Sequence, residues 1–387
     1  MSTIEKFNNN VMGTYGRYPL VMESGKDECA TDENGKKYID FGSGIGTNSL
    51  GYCNEEWVNA VCEQVKTLQH TSNYYYTKVQ ADFAEKLTKA TGMKKIFFGN
   101  SGAEANECAI KIARKYSFDK YGKGRHNIIT LINSFHGRTL TTLSATGQDV
   151  FHNYFFPFTE GFIYVEANNI DDLKSKIDDS VCAIMFEYIQ GEGGVLALDK
   201  EFVDEIYKIA EEKDILTISD EVQTGVGRTG KFLAGDNYGK KADIVTLAKG
   251  IAGGLPMGAC LTGEKCENVL TAGTHGSTFG GNPVCCAGGL AVLNKADDKD
   301  FLVEVVKKGD YIRNKLSEIN EVDGLSGMGL MIGITLKTKK AGDMAKMALE
   351  KGLLVLTAKD KLRLLPPLTI TYDEIDEGMK ILKEILD

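Results

Sequence analysis

The sequence predicts an α/β protein built on a mostly parallel sheet, with a smaller α+β domain formed from both chain ends. Two observations predict it. Short apolar runs at residues 95–98, 127–132, 163–165, 181–186, 215–219 and 244–247 alternate with amphipathic stretches, the order that builds a parallel sheet covered on both faces. Several of these runs also lack polar alternation, as strands buried on both sides should.

The elements follow in order. After the first strand, residues 105–116 set Ala105, Ala109, Ile112, Ala113 and Tyr116 on one helical face. Residues 202–210 do the same with Phe202, Ile206 and Ala210. The C-terminal third changes character, with long Lys/Glu-rich helical stretches at 300–319 and 373–386, a Gly-rich turn at 324–329 and a short strand at 331–336. These shifts predict a large α/β domain over 49–295 and a small domain that joins 1–48 to 296–387. The chain's 387 residues suit two domains at about 150 each, and a core of that size needs no disulfide or metal staple.

Charge and composition exclude several classes. With 45 basic and 54 acidic residues the formal net charge is −9, which opposes binding to nucleic acid or to an anionic membrane. No run approaches the ~18 apolar residues of a membrane span. Nine Cys without a C-x-x-C pair, behind a polar N-terminus, predict reduced thiols and a cytoplasmic protein. Only seven Arg occur, at 17, 114, 125, 138, 228, 313 and 363, so each is a candidate for gripping a carboxylate.

Other common chemistries fail on spacing. In Gly42-Ser-Gly44-Ile-Gly46-Thr47 the third glycine of a dinucleotide loop falls on Thr47. Only three residues separate Gly235 from Gly239-Lys240, where a P-loop needs four. The five His show no metal-ligand spacing, so no metal site is expected, and no G-x-S-x-G elbow occurs.

Four segments at strand ends carry the chemistry, the edge at which open α/β sheets bind ligands. In residues 97–104 a strand enters a glycine turn and a helix, where Ser101 and Glu104 have capping-box spacing; Gly102 and Ala103 would offer backbone N–H groups to a phosphate. A second strand ends in Asp220-Glu221-Val222-Gln223, a carboxylate suited to a cationic ring nitrogen. A third delivers Lys249 into a Gly-rich, otherwise uncharged turn, where apolar neighbours make a Schiff-base nucleophile. The fourth, Phe135-His136-Gly137-Arg138, sets an aromatic ring beside a rare arginine. Each alone also reads as ordinary structure: a capped helix, a solvated strand end, a surface lysine, a core phenylalanine. Together they are a phosphate loop, a ring stacker, an acid for a pyridinium nitrogen and an imine-forming lysine, the set that pyridoxal 5′-phosphate (PLP) requires.

The stretches SGAEAN (101–106), FHGRTL (135–140), DEVQTGVGRTG (220–230), LAKGIAGGLPMGA (247–259) and HGSTFGGNP (275–283) resemble the class III, ornithine-type, PLP-dependent aminotransferases. The likeness runs from residues 15–19 to 362–367 and is strongest to the members that act on acetylornithine. It implies a fold-type I architecture with a mainly parallel seven-stranded sheet, and a homodimer with active sites shared at the interface. It implies that Lys249 holds the cofactor and shuttles a proton, Asp220 pairs with the ring nitrogen, and Gln223 lies near the ring oxygen. Val222 and Phe135 would flank the ring. Ser101, Gly102 and Ala103 would form the phosphate loop, and Thr278 would reach the phosphate from the neighbouring subunit, with Ser277 on substrate. Arg138 would grip a substrate carboxylate, and Glu192 would mask Arg363 until 2-oxoglutarate binds.

Departures bear on the donor. Ornithine-specific members place a Tyr in the segment matching residues 44–48, which here is Gly-Ile-Gly-Thr-Asn. That favours a blocked α-nitrogen, as in N2-acetylornithine, with N-acetylglutamate 5-semialdehyde and glutamate as products and arginine biosynthesis as the setting. Succinyl-diaminopimelate, succinylornithine, ornithine and 4-aminobutyrate are the alternative donors, and an aminomutase is an alternative reaction. Met328 stands where the family often has Lys or Arg, and Tyr74–Tyr76 resembles a segment lining the partner's site.

Overall fold

The computed structural model describes residues 1–387. Its central feature is a seven-stranded sheet made of β1 (Lys95–Gly99), β2 (Asn127–Leu131), β3 (Phe162–Val165), β4 (Val181–Phe186), β5 (Leu216–Asp220), β6 (Ile244–Leu247) and β7 (Gly258–Thr262). The strand order is β1-β7-β6-β5-β4-β2-β3. Strand β7 runs antiparallel to both of its neighbours, and every other pairing is parallel. All six residues of β4 are buried, as its unbroken apolar run requires. Each large side chain of that kind contributes roughly 1.5–3 kcal/mol on burial.

Helix α1 (Gly102–Tyr121) covers one face of the sheet, with Ala105, Ala109, Ile112 and Ala113 buried. Helix α2 (Lys200–Lys213) covers the other with Phe202, Val203, Ile206 and Ile209. Six of the seven strands are those the apolar runs predict. The seventh, β7, escapes because Gly258-Ala-Cys has little β-branched character and follows the turn at Gly253, Gly254 and Pro256.

The two chain ends meet. Strand Lys37–Asp40 pairs in parallel with Leu353–Leu354, and Ile39 and Phe41 share a core with Ile312, Leu316, Ile332, Ile334 and Leu382. Gly378 in helix Tyr372–Leu386 admits Phe41, since a Cβ there would lie 2.2 Å from the ring. One expectation needs correcting. The Gly-rich stretch read as a turn over 324–329 is mostly strand Val322–Met328, paired antiparallel with Met331–Leu336. Its glycines serve close approach, because a Cβ on Gly327 would come 2.0 Å from the Met331 carbonyl. Met328 packs, partly buried, beside Ile189 and Val195. Arg228 is also structural: it is buried and its Nη1 donates to Leu330 O at 3.0 Å and Pro366 O at 2.5 Å. All nine cysteines are free, and no helix is long and apolar enough to cross a membrane.

Candidate active site

In this sheet the segments that follow β1, β2, β4, β5 and β6 all leave one edge, so the signals scattered over 150 residues converge there. They enclose a cavity of about 430 Å³ lined by Ser101, Gly102, Ala103, Phe135, Arg138, Glu192, Asp220, Val222, Gln223 and Lys249. Ten of the sequence-predicted residues therefore share one space.

At one end stands the start of α1. Ser101 caps it by accepting from Glu104 N at 3.2 Å. The reciprocal capping-box bond does not form: the Glu104 carboxylate accepts instead from Asn100 N at 2.5 Å and from the Ser101 hydroxyl at 3.3 Å. Gly102 and Ala103, as the first helical residues, have no carbonyl one turn back, so their N–H groups face the cavity at the positive end of the helix dipole. Glycine is required at 102: a Cβ would sit 2.8 Å from Val222 Cγ1.

At the other end, the two consecutive acids after β5 point apart. Asp220 Oδ2 accepts from Asn106 Nδ2 at 2.8 Å and lies 2.8 Å from His136 Nδ1, while Oδ1 accepts from Val222 N at 3.0 Å. An acceptor-only carboxylate places the proton on His136 Nδ1. Glu221 turns away to accept from Ala234 N, Gly235 N and the Thr224 hydroxyl. Beside Asp220, Glu187 accepts from Phe135 N at 3.0 Å and Gly191 N at 3.2 Å. Burial pushes its carboxyl up to about 7, with His136 opposing and the Asp220 charge adding.

Lys249 follows β6 with φ +47°, a left-handed conformation that costs a side chain about 1–3 kcal/mol and points to a functional demand. Burial depresses its pKa below the ordinary lysine value; Glu192 opposes this and Arg363 reinforces it. Arg363, from strand Lys361–Leu364, is buried behind the cavity wall. Its Nη1 donates to Glu192 Oε1 at 2.7 Å, Gly191 O at 3.1 Å and Gln223 Oε1 at 3.2 Å. Burial alone would raise Glu192, and the Arg363 guanidinium overrides it, holding the carboxyl below its usual value.

Besides Arg363, two expected residues lie outside the cavity. Ser277 Oγ accepts from Asn100 Nδ2 at 3.2 Å at the rim. Thr278 is exposed, beside an exposed Phe279.

These groups fit PLP. The free helix N–H groups and the Gly102 cradle suit its phosphate, the fixed Asp220 suits its pyridine nitrogen, and Lys249 suits its aldehyde. The comparisons agree. The profile described as "Aminotransferase class-III" matches residues 12–386. The chain is a class III aminotransferase. It is 48% identical to the acetylornithine aminotransferase of Haemophilus ducreyi, over 98% of this chain and 96% of that protein. It superposes on N-acetylornithine aminotransferase from Stenotrophomonas maltophilia with a TM-score of 0.86 at 32% identity, covering 99% and 98% of the chains. Ornithine aminotransferase from Toxoplasma gondii, solved with partial PLP occupancy, gives 0.94 at 29% identity, covering 99% and 93%. The cofactor of this aminotransferase is PLP.

Sequence reasoning gave no role to Asn106, His136, Glu187 or Thr47, all of which line this aminotransferase's cavity. Glu187 directly follows β4, and the register that puts Phe186 beside Ser219 sets it next to Asp220.

Proposed function

We propose that the chain moves the δ-amino group of N2-acetyl-L-ornithine to 2-oxoglutarate, giving N-acetyl-L-glutamate 5-semialdehyde and L-glutamate. The observation that carries this reading is the Arg363–Glu192 pair beside Lys249. N2-acetylornithine has no carboxylate on the carbon that bears its reacting amine, whereas 2-oxoglutarate has one on its reacting carbon, so the two make opposite demands on one pocket. Paired, Glu192 and Arg363 present little net charge; unpaired, Arg363 offers a guanidinium to the acceptor's α-carboxylate while Arg138 takes the other. The lack of a Tyr over 44–48 and the 48% identity to an acetylornithine aminotransferase support the donor.

Bound PLP supplies an electron sink conjugated with the substrate nitrogen. Lys249 Nζ, uncharged down to lower pH because burial depresses its pKa, would take the proton from the carbon bearing the amine and deliver it to the cofactor carbon that shares that nitrogen. Asp220, fixed by Asn106 and His136, would keep a proton on the ring nitrogen. Phe135 and Val222 would flank the ring and exclude water. Gly102 and Ala103 would anchor the phosphate, and Gln223, already bonded to Arg363, would be the residue for the ring oxygen.

The same reading makes the working unit a cytoplasmic homodimer, with Thr278 completing the partner's phosphate site and Ser277 facing its substrate. Exposed Thr278 and Phe279, and Tyr74 and Tyr76 at 93% and 106% exposure, support a covered surface. Mixing inactive Lys249→Ala and Thr278→Ala subunits would then restore one site per heterodimer. The division at residues 48 and 295 belongs to this reading too, supported by the separate cores around Phe41 and around β4. A panel of ω-amines with 2-oxoglutarate, scored for glutamate, tests the donor: N2-acetylornithine should have the highest kcat/KM, and a tenfold preference for ornithine or 4-aminobutyrate would refute it.

A further inference from the structure

Arg138 is the only arginine that lines the cavity, yet no carboxylate of the protein holds it. Glu107, on helix α1, accepts from the Thr139 hydroxyl at 2.6 Å. Instead the guanidinium lies over two aromatic faces, 4.1 Å from the ring centroid of Phe151 and 5.6 Å from that of Phe135. Those rings meet edge to face, 6.0 Å apart at 72°. Such contacts fix the position of a guanidinium while leaving its N–H edge free, which an ion pair would not.

Phe151 is itself held in place. It ends the single turn Asp149–Phe151. Gln148, just before the turn, donates from Nε2 to Ser134 O at 3.0 Å, next to Phe135. His152, just after, places Nε2 2.9 Å from Leu143 O. The turn is thus tied on both sides to the segment that carries Phe135 and Arg138.

We propose that Phe151 is a positioning residue for the dicarboxylate acceptor: its ring holds the Arg138 guanidinium at the cavity with its N–H groups free for the carboxylate far from the reacting carbon. The inference rests on the acceptor reading above and adds the group that sets where the second carboxylate must sit.

The test uses the holoenzyme and glutarate, a non-reacting dicarboxylate, with butyrate as the monocarboxylate control, both followed by calorimetry. Phe151→Leu should weaken glutarate about two- to fivefold, the scale of one exposed cation–aromatic contact, and leave butyrate unchanged. KM for 2-oxoglutarate should rise similarly, with a much smaller change in kcat. Phe151→Tyr should restore both, and in an Arg138→Ala background Phe151→Leu should add nothing. Unchanged glutarate affinity in Phe151→Leu, an equal loss for butyrate, or an equal loss without Arg138 would overturn the proposal. Failure of the wild type to bind glutarate would instead overturn the acceptor reading itself.

Discussion

Glu192 and Arg363, 171 residues apart in sequence, meet at 2.7 Å through Oε1 and Nη1, and Arg363 spends that same nitrogen on Gln223 as well. One buried guanidinium nitrogen therefore serves a carboxylate, an amide and the Gly191 carbonyl, while Nε is buried without a partner. The arrangement is strong enough to hold and incomplete enough to be displaced by a substrate carboxylate, which would satisfy more of the guanidinium.

Removing the mask should change substrate choice. Glu192→Ala frees Arg363 for any α-carboxylate, so ordinary α-amino donors such as glutamate should gain on N2-acetylornithine. A charge-assisted contact of about 1.5–3 kcal/mol corresponds to roughly ten- to hundredfold in the ratio of kcat/KM. An unchanged ratio would mean that Glu192 does not gate Arg363.

The phosphate cradle should tolerate no side chain at 102. Gly102→Ala sets a methyl 2.8 Å from Val222 Cγ1, and β-branched valine has little freedom to yield. PLP affinity, read from cofactor absorbance on titration, should fall about tenfold or more. Val222→Ala in the same chain should recover much of it; no recovery would place the damage elsewhere.

Asp220→Ala should leave PLP bound and poorly used, with turnover falling at least ~100-fold, the scale of losing one preorganised electrostatic partner. Near wild-type turnover at cofactor saturation would remove Asp220 from the mechanism.

Lys249 should leave a signature in the stability of the apoprotein. Its folded pKa is depressed below 10.5, first by burial, so between the folded value and 10.5 the unfolded chain binds more protons. Stability then rises with pH through that window. Lys249→Met removes the titration, so the mutant should melt above wild type at neutral pH and the gap should close as pH approaches 10.5. A gap that stays constant over that range would show that Lys249 is not desolvated.

Much of this was legible in the sequence because burial on both faces leaves an unmistakable apolar run, and because parallel strands end at one edge. Asp220 and Lys249 could be found as polar residues terminating such runs. Glu187 could not, because Tyr188 and Ile189 continue its apolar run past the strand end, both of them buried. His136 and Asn106 sat inside recognised motifs, but their bonds to Asp220 cross 84 and 114 residues, and no local pattern encodes that. Strand Val322–Met328 was hidden for a different reason: its glycines signal a turn, while their purpose is to let Met331 and Val195 come close. Phe151 had no signal at all, since its value lies in where Arg138 comes to rest.

The central claim is that one amino group passes between two different molecules by way of Lys249. N2-acetylornithine labelled with ¹⁵N only at the δ position, incubated with the purified enzyme, PLP and 2-oxoglutarate, should give ¹⁵N-glutamate with wild type and none with Lys249→Ala. Glutamate without label, or label transferred equally well by Lys249→Ala, would contradict the account.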